Sequence, residues 1–136
     1  MPELPEVEVV RRGLDGEVSG REVTSVTVTG ARTVRRQAAA VLVDRLRGAA
    51  IGPAGRLGKF LLLPLDDGSE TLVIHLRMSG QLRLAAPAEP QARHTHAVLG
   101  LSDGRELRFV DPRTFGELFV AESPVAALAH LGPDPL

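Results

Sequence analysis

Short apolar runs separated by turn residues constrain the fold of this 136-residue chain more than any other feature. From residue 50 to residue 121 they read AIGPAG, KFLLLPL, TLVIHL, GQLRLA, HAVLGL, ELRFV and ELFVA. Before them, REVTSVTVTG (21–30) alternates Val with Thr, as a half-buried strand does. Asp67-Gly68 and Asp103-Gly104 are signals for hairpin turns. The spacing predicts a mainly β fold, a two-layer antiparallel β-sandwich with flanking helices.

Helical patterns lie at both ends of the chain and once in between. Residues 5–17 carry apolar side chains at helical spacing, and Pro5 suits the first turn, where its missing N–H costs nothing. A second helical stretch lies near 38–48. A last short helix is expected at 123–132, capped by Ser123. The apolar stripe of the first helix consists of Val7, Val10, Leu14 and Val18.

Composition excludes several classes of protein. The chain has no cysteine, so it can form neither a disulfide framework nor a cysteine-ligated zinc site. Its first residues are charged, unlike a secretory signal, and no run approaches the ~18 apolar residues of a membrane span. We therefore expect a cytoplasmic protein that does not contact membranes. The net charge of −1 is unusual for a nucleic-acid-binding domain, and Lys59 is the single lysine among 16 basic residues.

The amino terminus, MPELPEVE, has two possible interpretations. The prolines and glutamates suit the start of a helix. Alternatively, removal of Met1 leaves Pro2 with a secondary amine, and an α-amino group titrates at about 7.7–8.0, so part of it is unprotonated near neutral pH. Such an amine can attack an aldehyde carbon, and Glu3 and Glu6 can then transfer protons.

Two turn-rich segments carry side chains suited to nucleic acid. In IHLRMSGQL (74–82), Met78 lies beside the loop signal Ser79-Gly80, where it either wedges between bases or packs into the core. In FVDPRTFGELF (109–119), a turn presents Arg113 and Phe115. Arginine donates to base edges or phosphates and an aromatic ring stacks on bases, although each residue alone also fits a solvated or a core position.

Two histidines in RHTHAV (93–98) fall at i and i+2. His94 and His96 are expected to share one face of a strand. No third ligand is apparent, so we predict structural or phosphate-contacting histidines and no metal site.

Five motifs, in order along the chain, resemble the N-terminal domain of bacterial formamidopyrimidine-DNA glycosylase. They are MPELPEVEVVRRGL, GRLGKFLLL, HLRMSGQL, DPRTFG and LGPDPL. The resemblance implies base-excision repair by a bifunctional glycosylase/AP lyase. Such an enzyme removes oxidised purines, notably 8-oxoguanine, and cuts the strand by β,δ-elimination. The implied partner is damaged double-stranded DNA, bound by a monomer.

The resemblance also implies roles for individual residues. Pro2 is the nucleophile that attacks the sugar C1′ and forms a Schiff base, and Glu3 is its acid–base catalyst. Glu6 supports the site. Lys59 contacts a phosphate and assists damage processing.

Further DNA contacts are implied along the chain. His75 and His94 are expected to contact DNA, His75 through a phosphate. The gap left by the flipped lesion base is filled by Met78, Arg113 and Phe115.

The chain departs from the family at three points. Arg77 stands where many relatives have glycine, and Thr114 where many have a basic residue. The family also continues past LGPDPL into a helix–two-turn–helix domain and a four-cysteine zinc finger. We therefore interpret residues 1–136 as a single N-terminal catalytic domain without a cofactor of its own, and expect weak activity from it alone.

Three other functions are compatible with parts of the sequence. An endonuclease VIII-type glycosylase removes oxidised pyrimidines, but LPEVE after the first residues argues against it. Tautomerases use an N-terminal proline as a general base, but Glu3 and Glu6 do not suit their anionic substrates. A non-catalytic DNA-binding or interaction domain remains the third alternative.

Overall fold

Two four-stranded antiparallel sheets and two helices form the part of the chain that the computed structural model describes, residues 4–30 and 32–122. Pro2, Glu3 and the helix predicted at 123–132 lie outside that part. The helices are α1 (Leu4–Glu17) and α2 (Ala39–Leu46). The strands are β1 (Val23–Val28), β2 (Gly55–Leu57), β3 (Phe60–Leu65), β4 (Glu70–His75), β5 (Gln81–Ala85), β6 (Thr95–Leu101), β7 (Glu106–Val110) and β8 (Glu117–Ala121).

The strand order confirms the predicted sandwich. One sheet has the order β1-β6-β7-β5 and the other β2-β3-β4-β8. Both predicted hairpin turns are present. In one, Gly68 has φ 88° and the Asp67 carboxylate accepts the Ser69 N–H at 2.9 Å. Gly104 has φ 89° in the other. These positive φ angles are why glycine follows aspartate in both turns.

One expected run does not form a strand. In AIGPAG, Ala50 and Ile51 make isolated bridges and the next strand begins only at Gly55. Pro53 has no backbone N–H to donate to a ladder, which explains the interruption. The short strand β2 that follows was not anticipated.

One large hydrophobic cluster joins both sheets and both helices, and Val73 and Phe119 form a second, smaller cluster among the described residues. Alternate residues of β3 point inward, and Leu61, Leu63 and Leu65 are all buried. The opposite sheet contributes Leu107 and Phe109. Helix α1 and the turn that follows it bury three members of the predicted stripe, and the fourth is partly buried against the same core. Those residues are Val7, Leu14 and Val18, with Val10.

Helix α2 covers one end of the sandwich. It packs on β1 and β8 through Leu42 and Leu46, which are fully buried, and it lies within the predicted stretch 38–48. The helical path ends at Arg47, which has φ −66° and ψ 124°, and Gly48 follows with φ 87°, as in a type II turn. Neither α1 nor α2 is long and apolar enough to cross a membrane, and no other helix occurs among the described residues.

Candidate nucleic-acid interface

Two loops cross from one sheet to the other at the same end of the sandwich. The β4–β5 loop (residues 76–80) and the β7–β8 loop (residues 111–116) run in opposite directions between the sheets. His75 pairs with Glu117 where the loops meet one sheet, and Gln81 pairs with Val110 where they meet the other. The strand register therefore holds the two loops side by side, and brings Met78 close to Phe115.

The loop tips present apolar side chains to solvent. Met78 is 55% exposed and Phe115 is 43% exposed. Both side chains line one cavity of about 430 Å³ together with Arg35 and Arg77. Of the two interpretations of Met78, the structure supports the exposed one. Arg113 is also exposed, and its guanidinium makes no hydrogen bond or ion pair with the described residues.

A buried carboxylate lies at the base of the β7–β8 loop. Asp111 is fully buried and accepts the Arg113 N–H at 3.1 Å and the Gly116 N–H at 2.7 Å. Its Oδ1 also accepts the Ser79 hydroxyl of the neighbouring loop at 2.5 Å. Sequence reasoning recognised only a turn at Asp111-Pro112. The available signal was an aspartate before proline, which favours bonding to backbone N–H groups two residues on.

Gly116 is packed too closely to carry a side chain. A Cβ placed on it would lie 2.7 Å from Phe109 Cζ, 2.8 Å from the His75 carbonyl oxygen and 3.0 Å from an Asp111 carboxylate oxygen. The β7–β8 loop therefore rests directly on the end of β4. Glycine is required here by close approach and not by its own φ.

His75 is buried beneath the loops. Its ring meets Phe60 edge-on at 4.4 Å between centroids, and its Nδ1 accepts the Arg77 N–H at 3.0 Å. An Nδ1 that accepts carries no proton, so the neutral ring has its proton on Nε2. The DNA contact of His75 stays a prediction.

Each loop contains one residue in a left-handed backbone conformation. Arg77 has φ 55° and Thr114 has φ 56°. Both are positions at which the resemblance predicts a different residue, and a glycine at residue 77 would adopt this φ without strain. The Nε of Arg77 is also buried and has no hydrogen-bond partner within the described residues. Strain and an unpaired buried donor concentrate at functional sites, and here they lie beside Met78.

Arginines hold the end of the β7–β8 loop to the segment before α2. Arg35 donates to the Glu117 carboxylate at 2.9 Å and to the Phe115 carbonyl at 2.5 Å. Arg36 donates to Glu117 at 2.6 Å and lies 4.6 Å above the Phe119 ring. Burial raises the pKa of Glu117, but the hydrogen bonds from Arg35 and Arg36 outweigh it, so the pKa is lowered from its usual 4.5. Sequence reasoning missed this cluster, which no local motif marks.

Glu6 lies on the same side of the molecule as the loops. It is exposed on α1 and lines a second cavity, of about 390 Å³, together with Met78 and Ser79. The structure thus brings the supporting carboxylate of the predicted site close to the predicted base-inserting residue. Pro2 and Glu3 lie outside the described residues, so their roles stay predictions.

Lys59 lies in the turn between β2 and β3. An ion pair connects β2 to helix α1. Glu8 binds Arg11 at 2.7 Å and Arg56 at 3.2 Å, and Arg56 also donates to the Gly58 carbonyl at 2.8 Å. The Arg11 hydrogen bond is the main cause that lowers the pKa of Glu8 to about 2. The half-buried Lys59 follows Gly58 directly. Glu8 therefore fixes the start of α1 relative to the turn that presents Lys59.

The two histidines do not both lie on a strand as expected, although their ring centroids are 6.3 Å apart. His94 precedes β6 and has φ 67°, and a register shift interrupts the ladder between Thr95 and Ala97. This bulge turns the His96 ring to the Asp111 carbonyl at 2.8 Å, and the His94 carbonyl accepts the Asp111 N–H at 3.0 Å. Both histidines support the base of the β7–β8 loop, whereas the DNA contact of the exposed His94 stays a prediction. No three potential ligands among His, Cys, Asp and Glu cluster within residues 4–30 and 32–122.

Known proteins are similar to this chain in fold and in sequence. The sequence profile described as formamidopyrimidine-DNA glycosylase N-terminal domain matches residues 1–118. The formamidopyrimidine-DNA glycosylase of Thioalkalivibrio sulfidiphilus is 47% identical over the whole chain, which spans 50% of that relative's length.

Two solved structures of Lactococcus lactis Fpg are similar in fold. One is bound to DNA that contains Fapy-dG; it has a TM-score of 0.85, 33% identity, and covers 95% of this chain and 47% of the Lactococcus chain. The other is bound to DNA that contains an oxidised pyrimidine; it has a TM-score of 0.86, 34% identity, and covers 96% of this chain and 47% of the Lactococcus chain. The present chain belongs to the formamidopyrimidine-DNA glycosylase family, as the resemblance of its motifs predicts.

Proposed function

We propose that this chain supplies the catalytic half of a bifunctional DNA glycosylase/AP lyase that acts, as a monomer, on oxidised purines in double-stranded DNA. The observation that carries the proposal is the pair of adjoining loops with Met78 and Phe115 exposed at their tips. Exposed apolar side chains of this kind suit insertion between base steps. Family membership and the DNA complexes of Lactococcus lactis Fpg support the same function.

Inserted side chains offset the stacking that is lost when the damaged nucleotide leaves the helix. An enzyme that cleaves a base from its sugar must extrude the nucleotide, which costs a few kcal/mol of stacking and pairing. Met78 and Phe115 fill the vacated space, and Arg113 donates to the acceptors of the orphaned partner base. His75 and Lys59 bind flanking phosphates.

The reaction proceeds through the amine of Pro2. The nitrogen bonds to the sugar C1′ as the bond from C1′ to the base breaks, and the base leaves with a proton. Proton transfer through Glu3 opens the sugar ring and gives an iminium ion. The iminium withdraws electrons, so C2′ loses a proton and the C3′–O bond breaks; a second elimination breaks the C5′–O bond. Glu6, close to Met78, supports these proton transfers.

Borohydride trapping tests the catalytic role of this chain directly. The iminium accepts hydride and becomes a stable amine, so the chain lacking Met1 should form a covalent adduct with a single-stranded oligonucleotide that contains an abasic site. Mass mapping should place the adduct on the peptide that begins with Pro2. The matched control is the same chain with Met1 retained, in which the Pro2 nitrogen is an amide and no adduct should form on Pro2.

A fusion with the second half of the Thioalkalivibrio sulfidiphilus relative extends this test to duplex DNA. The fusion should release 8-oxoguanine and trap on the nicked duplex. If neither the chain nor the fusion traps while intact mass shows that Met1 is gone, the catalytic proposal is wrong, and a non-catalytic DNA-binding role takes its place.

Oxidised pyrimidines are the alternative substrate class. The observation that favours this class is the complex of Lactococcus lactis Fpg with DNA that contains an oxidised pyrimidine. Rates of excision from 8-oxoguanine and thymine-glycol duplexes by the same fusion decide between the two. A higher rate for thymine glycol would overturn the preference for purines.

A further inference from the structure

One hydrogen bond joins the two crossing loops. The Ser79 hydroxyl of the β4–β5 loop donates to the Asp111 carboxylate of the β7–β8 loop. The other hydrogen bonds of that carboxylate, from the Arg113 and Gly116 N–H groups, lie within its own loop. Within the described residues no backbone hydrogen bond connects the two loops. Ser79 is thus the polar link between the segment that carries Met78 and the segment that carries Phe115.

The burial of Asp111 makes this link strong. No arginine of the described residues forms an ion pair with this fully buried carboxylate. A buried carboxylate needs its hydrogen bonds, and those to an ionised acceptor are roughly twice as strong as neutral ones. Loss of the Ser79 hydroxyl leaves one carboxylate oxygen with the single longer bond from Arg113. The loops then lose the interaction that fixes their separation.

We propose that Ser79 and Asp111 are positioning residues that make Met78 and Phe115 enter DNA as one unit. The inference rests on the proposed function, because it concerns how the same interface inserts. The two tips line one cavity, and the β7–β8 loop is already seated on β4 at Gly116. The Ser79–Asp111 bond adds the Met78 loop to this rigid base. Pre-organisation of this kind avoids the cost of ordering each loop when it binds.

A fluorescent duplex measures the insertion. The probe is a duplex with a tetrahydrofuran abasic analogue and 2-aminopurine in the opposite strand, whose fluorescence rises when it is unstacked. Titration with the chain gives the affinity for the inserted state. Ser79→Ala should weaken it by up to about tenfold, because the Met78 loop must then be ordered when it binds. Ser79→Thr restores the hydroxyl and should recover affinity, and Ser25→Ala, on the exposed face of β1, is the matched control.

Coupling between the tips distinguishes positioning from a merely structural role. In the wild-type background, the effects of Met78→Ala and Phe115→Ala on DNA affinity should be non-additive, because the Ser79–Asp111 bond couples the two loops. In the Ser79→Ala background the two effects should become additive. Coupling that persists without the Ser79 hydroxyl, or a Ser79→Ala titration that matches Ser25→Ala, overturns the inference.

Amide hydrogen exchange in the DNA-free chain provides a second readout. Ser79→Ala should speed exchange in residues 76–80 and also at the Arg113 and Gly116 amides. Faster exchange confined to residues 76–80 contradicts the inference, whatever the DNA titration shows. A wild-type chain that shows the protected amides but no fluorescence change on DNA contradicts the proposed function instead.

Discussion

At the residue scale, the most informative side chains are those that the sequence pattern does not single out. Asp111 was interpreted only as the start of a turn, yet its carboxylate organises both loops through Ser79 and Gly116. Sequence reasoning could find Met78, Arg113 and Phe115 because the motifs around them resemble the family. It could not find Ser79 as a partner of Asp111, because that contact joins residues 32 positions apart.

Arg77 carries a conformational cost that a single substitution should remove. A non-glycine residue in the left-handed region costs roughly 1–2 kcal/mol, and glycine loses part of this gain through its freer unfolded chain. Arg77→Gly should therefore raise the free energy of unfolding by about 0.5–1 kcal/mol, measured by urea denaturation. Arg93→Gly is the matched control, since Arg93 is exposed and has no positive φ. Equal destabilisation by both substitutions would show that Arg77 is not strained.

At the element scale, ion pairs decide where α1 lies. Apolar burial of Val7 and Leu14 holds the helix on the core, but the stripe alone leaves its position along β2 open. Glu8 fixes that position through Arg56 of β2, and Arg11, which pairs with Glu8 within the helix, also donates to the Ala54 carbonyl at 3.1 Å. The sequence predicted that the helix exists and which face it buries. It could not predict this pairing, because several arginines could reach the same carboxylate.

The Glu8 cluster should make stability sensitive to acid. The pKa of Glu8 is about 2 in the folded chain against an ordinary 4.5, so the unfolded chain takes up the proton first as the pH falls. The stabilisation is complete above pH 4.5 and is lost as the pH falls towards 2. In Glu8→Gln, thermal melts should show lower stability at pH 7 and a smaller further loss down to pH 3.

A matched substitution separates the loss of the Glu8 ion pairs from the general effect of removing one negative charge. Glu22 is exposed, and its carboxylate makes no ion pair with the described residues. Glu22→Gln should therefore keep the wild-type acid profile. If Glu8→Gln and Glu22→Gln behave alike, the ion pairs do not anchor α1.

At the scale of the whole molecule, the periodicity of the sequence predicted the two-layer architecture, whereas the pairing of the strands determines where the candidate site lies. The sandwich, both hairpin turns and the extents of α1 and most strands follow from local patterns. Which strands cross between sheets does not follow, because pairing of β4 with β8 and of β5 with β7 depends on contacts distant in sequence. That pairing is what places Met78 beside Phe115. The resemblance of the motifs predicted the same grouping, but it did not explain it.

The core that joins both sheets and both helices predicts that residues 4–30 and 32–122 unfold as one unit. Circular dichroism and hydrogen exchange should report a single transition. Phe109→Ala, which empties a site 1% exposed at the centre of the core, should lower the free energy of unfolding by about 3–5 kcal/mol. Val9→Ala removes an apolar side chain that is 69% exposed and should change it by less than about 0.5 kcal/mol. Two separate transitions would contradict a shared core.

The paired ends of the two crossing loops also restrict how this interface can diversify. His75–Glu117 and Gln81–Val110 are ladder partners, so both loops are fixed at both ends. An inserted residue either buckles one tip away from the other or shifts a whole strand by one position, which turns every side chain of that strand to the opposite face. Surface loops usually tolerate changes in length. We therefore expect variation to be confined to the side chains at the tips, so the surface that these loops present changes through residue identity and not through loop length.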